Sequence, residues 1–323
     1  MHDKIKVLYI AGQGRSGSTI LGNTLGQIEG FVHVGELLEV WGLLISGRVL
    51  CGCGMPLATC QKWMDVLEEV CRGRGDSFIS EMLEFRNSEV RSRAFPWATT
   101  PSGVRSLQQR LAKPLADIGG LYRAIREVFD CKVIVDSSKH PMYACFLNLI
   151  DGVDPYILHL TRDPRAVAYS FFRKQVKDGE LIWTKDLTPL RASLMWNYKN
   201  SVVDILSKQF RRNSWHMRYE DFIADPRTSL DRILNFVDES RPFLPLQDER
   251  TLILKAQHTV SGNPSRFVTG SVELRENQAW KSDMKSSDRM LVTAVTWPLL
   301  AKYGYRGHAV GARDIPTDEA VRA

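Results

Sequence analysis

The stretch Lys6–Gln27, KVLYIAGQGRSGSTILGNTLGQ, contains the pattern that decides the fold. Its first part, Lys6–Ala11, is a short apolar run, which is typical of a strand buried on both faces of a sheet. A turn rich in glycine and serine follows at Gly12–Thr19. Leu21 and Leu25 then lie four residues apart, as on one face of a helix. Strand, glycine-rich turn and helix in this order predict the first unit of an α/β fold.

Similar apolar runs recur along the chain, and helical patterns separate them. Further strands are predicted at Phe31–Val34, Lys132–Val135, Tyr156–Leu160 and Trp215–Tyr219. Strands that alternate with helices in sequence form parallel sheets covered on both faces. We therefore predict a three-layer fold with a central parallel sheet and helices on both sides.

Residues 40–130 have a different character, with helical patterns and no strand signal. Helices are predicted there at Trp63–Arg72, Phe78–Arg93 and Val104–Phe129. We interpret the region as a helical insertion, or cap, within a single domain of residues 1–305. The polar residues 306–323 are expected to form a flexible tail.

Composition excludes several classes of protein. The 323 residues are 44% hydrophobic and 25% charged, which excludes a disordered chain, a coiled coil and a low-complexity scaffold. The net charge of +6 fits a small anionic ligand at least as well as nucleic acid, and we predict no nucleic-acid partner. No apolar run reaches the length of a membrane span, and the N-terminal residues show no secretory cleavage site. A cytoplasmic protein is expected, and its oligomeric state is left open.

The turn Gly12–Thr19 matches the spacing of the phosphate loop G-x-x-x-x-G-K-[ST], with one change. Ser18 takes the place of the lysine, and the nearest cation is Arg15. Backbone N–H groups and the positive end of a helix dipole bind phosphate at such a turn. The missing lysine argues against triphosphate hydrolysis, because that lysine reaches the β- and γ-phosphates. The fold is therefore predicted to be of the P-loop type, with a compact anion as ligand.

A second signal lies in Leu158–Ser170, LHLTRDPRAVAYS. Arg162 comes at the end of a predicted strand, where ligands bind in open parallel sheets. Ser170 follows eight residues later on the next helix, and two helical turns can bring its hydroxyl back towards the same anion.

Together the two stretches resemble the sulfotransferase superfamily, whose members take a sulfuryl group from 3′-phosphoadenosine 5′-phosphosulfate (PAPS). The turn resembles the family's 5′-phosphosulfate loop, in the R-S-G-S-T form of tyrosylprotein and carbohydrate sulfotransferases. Arg162 and Ser170 resemble its 3′-phosphate motif. The resemblance extends from about Lys6 to Tyr305, is thin between 50 and 125, and is greatest to bacterial sulfotransferases.

The resemblance implies a set of donor-binding residues. Tyr219 would contact the nucleotide from a strand end, although a buried structural tyrosine explains the residue equally well. The loop Ser261–Arg266 falls where the family covers the nucleotide, but the R-K-G motif of cytosolic members is absent. Lys281 fits a solvated surface lysine better than a ligand-binding one. The implied set is Gly14, Arg15, Ser16, Gly17, Ser18, Thr19, Arg162, Ser170, Lys174, Tyr219, Asn263 and Arg266.

The resemblance also implies catalytic roles. Glu36 would act as the general base that takes a proton from the acceptor, with His33 as the alternative. Lys139 and Arg15 would stabilise the charge that develops on the leaving phosphate oxygen. The reaction needs no γ-phosphate chemistry, so no metal is predicted.

The implied activity is transfer of the sulfuryl group from PAPS to a hydroxyl of a small-molecule, carbohydrate or lipid acceptor by in-line displacement. A deviant P-loop kinase and a non-catalytic nucleotide-binding protein are the alternatives. Residues 40–130 would form the acceptor side. Their aromatic side chains suit an acceptor site or a plain core: Trp41, Trp63, Phe95 and Trp97.

Three cysteines lie close together at Cys51, Cys53 and Cys60, and Cys71 follows. Their spacing is not the paired C-x-x-C of zinc ribbons, and no histidine lies near them in the sequence. Free thiols in a compact loop are therefore predicted.

Overall fold

The computed structural model describes residues 4–47, 49–90, 95–172, 174–177, 180–183, 187–210, 213–240 and 243–305. The helices and strands follow one another in this order: β1 (Ile5–Ala11), α1 (Ser18–Leu25), β2 (Phe31–Gly35), α2 (Val40–Ser46), α3 (Gln61–Cys71), α4 (Gly75–Ser88), α5 (Phe95–Ala98), α6 (Pro101–Arg110), α7 (Ala112–Phe129), β3 (Val133–Lys139), α8 (Pro141–Leu147), β4 (Val153–Thr161), α9 (Pro164–Phe172), β5 (Lys174–Lys177), β6 (Glu180–Trp183), α10 (Pro189–Phe210), β7 (Ser214–Arg218), α11 (Tyr219–Ala224), α12 (Pro226–Phe236), β8 (Thr251–Leu254), β9 (Gly270–Glu273), α13 (Trp280–Asp283) and α14 (Ser286–Lys302).

Five parallel strands form the central sheet, in the spatial order β2-β3-β1-β4-β7. β1 lies in the middle, and the side chains from Val7 to Ala11 are all buried. Because successive side chains of a strand point to opposite faces, Val7 and Tyr9 join one hydrophobic core while Leu8 and Ile10 join the other. The prediction of a parallel sheet with helices on both faces is confirmed.

The helical region between β2 and β3 contains α2 to α7. Two of its predicted aromatic side chains belong to the core: Trp41 is buried against Phe78 in an edge-to-face contact of 5.4 Å between ring centroids, and Trp63 is fully buried. The side chain of Trp97 lies outside what the structure describes. The predicted helix Val104–Phe129 is in fact two helices, α6 and α7. Pro114 explains the break, because its ring has no N–H and would clash with the carbonyl of Arg110 in a continuous helix.

Two short antiparallel hairpins, β5-β6 and β8-β9, lie outside the central sheet and were not predicted. The division into a single domain with an acceptor-side cap stays a prediction, and the predicted tail lies outside the described residues. Among the helices that the structure describes, none has the length and apolar character to cross a membrane.

Candidate functional site

A cavity of about 590 Å³ opens at the carboxyl edge of the central sheet. Its walls come from the segments that follow β1, β2, β3 and β4, and from α9, α10 and the loop after β8. Ligands of open α/β folds bind at this edge, and the volume is typical of a small-molecule site.

The loop between β1 and α1 forms one wall, and two of its glycines cannot be replaced without strain. Gly12 has φ of +134°, and a Cβ there would lie 2.4 Å from the carbonyl oxygen of Leu160. Gly17 has φ of +85°, and a Cβ there would lie 2.2 Å from the ring of Tyr219. The chain therefore turns tightly between strand and helix, and Ser18 begins α1 at the cavity.

Buried polar atoms of this loop have hydrogen-bonding capacity to spare. Ser16 Oγ and Gln13 Oε1 are buried and have no hydrogen-bond partner in the part of the chain that the structure describes. Ser16 does not line the cavity, and the Gln13 oxygen is an acceptor. The hydroxyls of this loop that face the cavity are therefore those of Ser18 and Thr19 at the start of α1, where a helix N-terminus favours an anion. The loop thus has the backbone shape and the donor chemistry of a phosphate site.

Arg162, which follows β4, and Tyr219, which begins α11, support the loop. The Arg162 guanidinium donates a hydrogen bond of 3.1 Å to the carbonyl of Arg15 and stacks on the Tyr219 ring at 4.7 Å. Arg162 and Ser170 both line the cavity. Tyr219 is buried and packs behind Gly17 rather than lining the cavity, so it holds the loop and Arg162 in place.

The loop after β8 covers the same cavity from another side. The backbone N–H of Asn263 donates to Thr19 Oγ1 at 3.3 Å, and Asn263 lines the cavity. Arg266 does not line it: its guanidinium donates to the carbonyl of Leu50 at 2.8 Å and stacks on Phe267. The structure therefore brings Asn263 to the site and directs Arg266 to the start of the helical region.

Glu36 and Lys139 form an ion pair inside the cavity, at the ends of β2 and β3. Lys139 has φ of +64°, an unfavourable backbone conformation for a residue with a side chain. Strain of this kind concentrates at functional sites, where it aims a side chain. A carboxylate and an ammonium group thus meet opposite the phosphate loop.

His33, the alternative base, is buried below the site. Its Nδ1 contacts Asn23 Oδ1 at 3.1 Å and its Nε2 contacts Ser137 Oγ at 3.1 Å. Burial, together with the positive charge of Lys139, lowers the pKa of His33 to about 3. The imidazole does not line the cavity, and it connects α1 to β3 through its two hydrogen bonds.

The sequence did not predict several residues that line the cavity, among them Lys199 and His140. Lys199 on α10 lines the cavity, and burial, followed by repulsion from Lys139, lowers its pKa. Burial, and then the charges of Lys199 and Arg86, lower the pKa of His140 to about 4. No local motif marks them, because a lysine in a long helix is ordinary in sequence. The other unpredicted lining residues include Glu39, Ser138, Phe171 and Met195.

Lys174 and Lys281 are two other lysines considered in the sequence, and neither is among the described residues that line the cavity. Lys174 begins β5, and its side chain lies outside what the structure describes. Lys281 is at α13, where its ammonium group contacts Gln278 at 2.9 Å near the Trp280 ring.

Positive charge dominates the cavity. Among the described residues that line it, four cations face two carboxylates: Arg15, Lys139, Arg162 and Lys199 against Glu36 and Glu39. In a partly enclosed site these charges attract an anion strongly. A glycine-rich loop after the first strand of a parallel sheet, with basic residues around it, is the arrangement with which P-loop-type folds bind phosphorylated ligands.

Comparison with known proteins gives the family. Residues 8–242 match the model of the sulfotransferase family, and the chain belongs to that family. No curated protein sequence matches the chain. Membership of the family supports sulfotransfer as the reaction.

Solved structures similar to the chain are also sulfotransferases. The sulfotransferase domain from the Synechococcus PCC 7002 olefin synthase is 16% identical, with 92% of this chain and 96% of that chain covered and a TM-score of 0.49. The sulfotransferase domain from the curacin biosynthetic pathway is 17% identical, with 90% and 97% covered and a TM-score of 0.46. The sulfotransferase from Alicyclobacillus acidocaldarius is 14% identical, with 91% and 92% covered and a TM-score of 0.42.

Proposed function

We propose that the protein transfers the sulfuryl group of PAPS to a hydroxyl of a small-molecule, carbohydrate or lipid acceptor, by direct in-line displacement. One observation carries the proposal: the phosphate loop, Arg162 and the Glu36–Lys139 pair all line a single cavity. The first two suit a nucleotide with phosphate groups, and the third suits proton transfer from a hydroxyl.

PAPS would be held by its two anionic ends. The 5′-phosphosulfate would take hydrogen bonds from the loop at Arg15, Ser18 and Thr19, which line the cavity, and a contact from Ser16 remains a prediction. The 3′-phosphate would be bound by Arg162 and Ser170, since an arginine fork is matched to phosphate geometry. Tyr219 positions Arg162 by stacking, and Asn263 covers the nucleotide from the late loop. A contact from Lys174 remains a prediction, whereas Arg266, whose guanidinium bonds to the Leu50 carbonyl, is left out of the proposed donor site.

PAPS supplies an activated sulfuryl group, and the residues around it manage charge and protons. Glu36 takes the proton of the acceptor hydroxyl, since its carboxylate lines the cavity opposite the phosphate loop. Lys139 and Arg15, which line the cavity, would stabilise the negative charge of the departing phosphate group. We assign the role of base to Glu36 rather than His33, because hydrogen bonds to Asn23 and Ser137 engage both ring nitrogens of His33 away from the cavity.

The acceptor would enter between Glu36 and α10. Glu39, His140, Met195 and Lys199 line this side, a mixture of polar and apolar groups that suits an alcohol with both characters. Trp41 and Trp63 are core residues and are left out of this proposal. A cytoplasmic location also remains a prediction.

Transfer from labelled PAPS tests the proposed function. The purified protein is incubated without added divalent metal with panels of saccharides, phenols and lipid alcohols, and label on each acceptor is measured. We expect transfer to members of one panel, with release of 3′-phosphoadenosine 5′-phosphate. Label transfer only from ATP in the presence of magnesium would contradict the proposal and favour a kinase. Nucleotide binding without transfer to any acceptor would favour a non-catalytic protein.

A further inference from the structure

Three cysteines of one turn and a histidine from a distant part of the chain form a cluster of metal-ligating groups. Cys51, Cys53, Cys60 and His258 each place one ligand atom within 4.8 Å of all the others. The histidine is 198 residues from Cys60, which is why the cysteine spacing alone gave no metal site. None of the four residues lines the cavity at the sheet edge.

Three of the distances between these atoms are close to those of a tetrahedral zinc site. Zn²⁺ binds thiolate sulfur at about 2.3 Å and imidazole nitrogen at about 2.0–2.1 Å, so tetrahedral ligands place sulfurs about 3.8 Å apart and sulfur and nitrogen about 3.6 Å apart. Cys53 Sγ and Cys60 Sγ are 3.8 Å apart. His258 Nδ1 lies 3.8 Å from Cys51 Sγ and 3.2 Å from Cys60 Sγ.

We propose that Cys51, Cys53, Cys60 and His258 bind one Zn²⁺ ion as a structural site, in place of the free thiols predicted from the sequence. Four protein ligands complete a tetrahedron and leave no position for water or substrate, which separates structural from catalytic zinc. Three sulfurs and one imidazole favour zinc over magnesium or calcium, which prefer oxygen. The ion would be shielded, because Cys51 and Cys60 are buried and the other two ligands are half-buried.

The backbone around the four residues holds them in this arrangement. The N–H of Gly52 donates to the carbonyl of Thr259 at 2.9 Å, and a Cβ on Gly52 would lie 2.3 Å from Thr259 Oγ1. Only glycine permits this close approach. The indole N–H of Trp63 donates to the carbonyl of His258 at 2.8 Å. These contacts therefore fix the two chain segments against each other on both sides of the ligands. Metal sites commonly have such contacts around their ligands, and the contacts orient the ligands.

The position of the cluster suggests that the zinc ion would link two chain segments next to the cavity. It joins the turn at residues 51–60 to the segment that runs from His258 into the loop over the cavity. That segment is hydrogen-bonded to the carboxyl end of β2. The N–H of Val260 donates to the carbonyl of Val34, and the N–H of Glu36 donates to the carbonyl of Ser261 at 3.3 Å. The ion would thus fix the loop that contains Asn263 beside Glu36, the general base in the proposed function.

Metal content of the full-length protein tests the proposal. We expect elemental analysis of protein purified without chelators to find about one zinc ion per chain. Cys60→Ser and His258→Ala should lose most of the zinc, whereas Cys71→Ser should keep it. Cys71 is the matched control, since it is also a free cysteine nearby but lies outside the cluster.

A second measurement applies where a variant does not fold. Co²⁺ added to wild-type protein stripped of metal should give the thiolate charge-transfer bands and the visible bands of tetrahedral cobalt. The proposal is overturned if the wild type contains no stoichiometric zinc and gives no such spectrum. It is equally overturned if intact mass shows a Cys53–Cys60 disulfide, or if iron takes the place of zinc.

Discussion

The two walls of the cavity are built in different ways. The phosphate loop is one continuous segment whose shape is set by Gly12 against Leu160 and Gly17 against Tyr219. The opposite wall takes Glu36, Lys139 and Lys199 from three segments that meet only in the folded chain. The first wall presents fixed backbone and positive charge, and the second presents a carboxylate and ammonium groups. In the proposed function, the first wall binds the donor and the second wall performs the proton transfer.

Loss of the Glu36 carboxylate should have the largest effect, and on turnover alone. Glu36→Gln removes the proton acceptor, so kcat should fall by roughly 10²–10⁴-fold, the usual contribution of a general base. Affinity for 3′-phosphoadenosine 5′-phosphate should change little, as calorimetry can show. Glu239→Gln is the matched control, because the Glu239 carboxylate also pairs with a lysine, Lys6, but lies outside the cavity. Equal losses in the two variants would break the division between the walls.

This division also explains what the sequence could predict. The strand, the turn and the arginine of Leu158–Ser170 are local patterns, so the fold and the phosphate loop followed directly from them. Lys199 and His258 lie in ordinary sequence, and their partners are distant in the chain. For Arg266 the loop motif predicted a contact with the nucleotide, whereas in the folded chain its guanidinium bonds to the carbonyl of Leu50. Long-range packing decides such contacts, and a single sequence does not record it.

Loss of the Arg162 guanidinium should affect the donor-binding wall. Arg162→Ala removes a charge-assisted hydrogen bond to the 3′-phosphate, and affinity for 3′-phosphoadenosine 5′-phosphate should fall roughly 10- to 100-fold. Turnover at saturating donor should change much less. Arg165→Ala is the control, because the Arg165 guanidinium pairs with Asp163 and stacks on Trp280 outside the cavity. An unchanged affinity in Arg162→Ala would remove Arg162 from the donor site.

The smallest predicted effect concerns His33, which links α1 behind the first wall to β3 behind the second. Burial lowers the pKa of His33 to about 3 from its ordinary 6.5, so only the unfolded chain binds this proton between those pH values. The contribution of neutral His33 to the free energy of unfolding is therefore fully present above about pH 6.5. It is lost as the pH falls towards the folded-state pKa. From about pH 7 to about pH 5, the wild type should lose about 2 kcal/mol more free energy of unfolding than His33→Gln. Urea unfolding at both pH values measures this, and equal losses would show that His33 is protonated in the folded protein.

The central claim is that the cavity binds a nucleotide through both a 5′- and a 3′-phosphate, without a divalent metal. Calorimetric titration of the wild-type protein with 3′-phosphoadenosine 5′-phosphate and with adenosine 5′-phosphate, in the absence of added magnesium, tests it most directly. The account predicts much tighter binding of the nucleotide with the 3′-phosphate, and a preference that Arg162→Ala largely removes. Equal affinity for the two nucleotides, or binding only of ATP with magnesium, would contradict it.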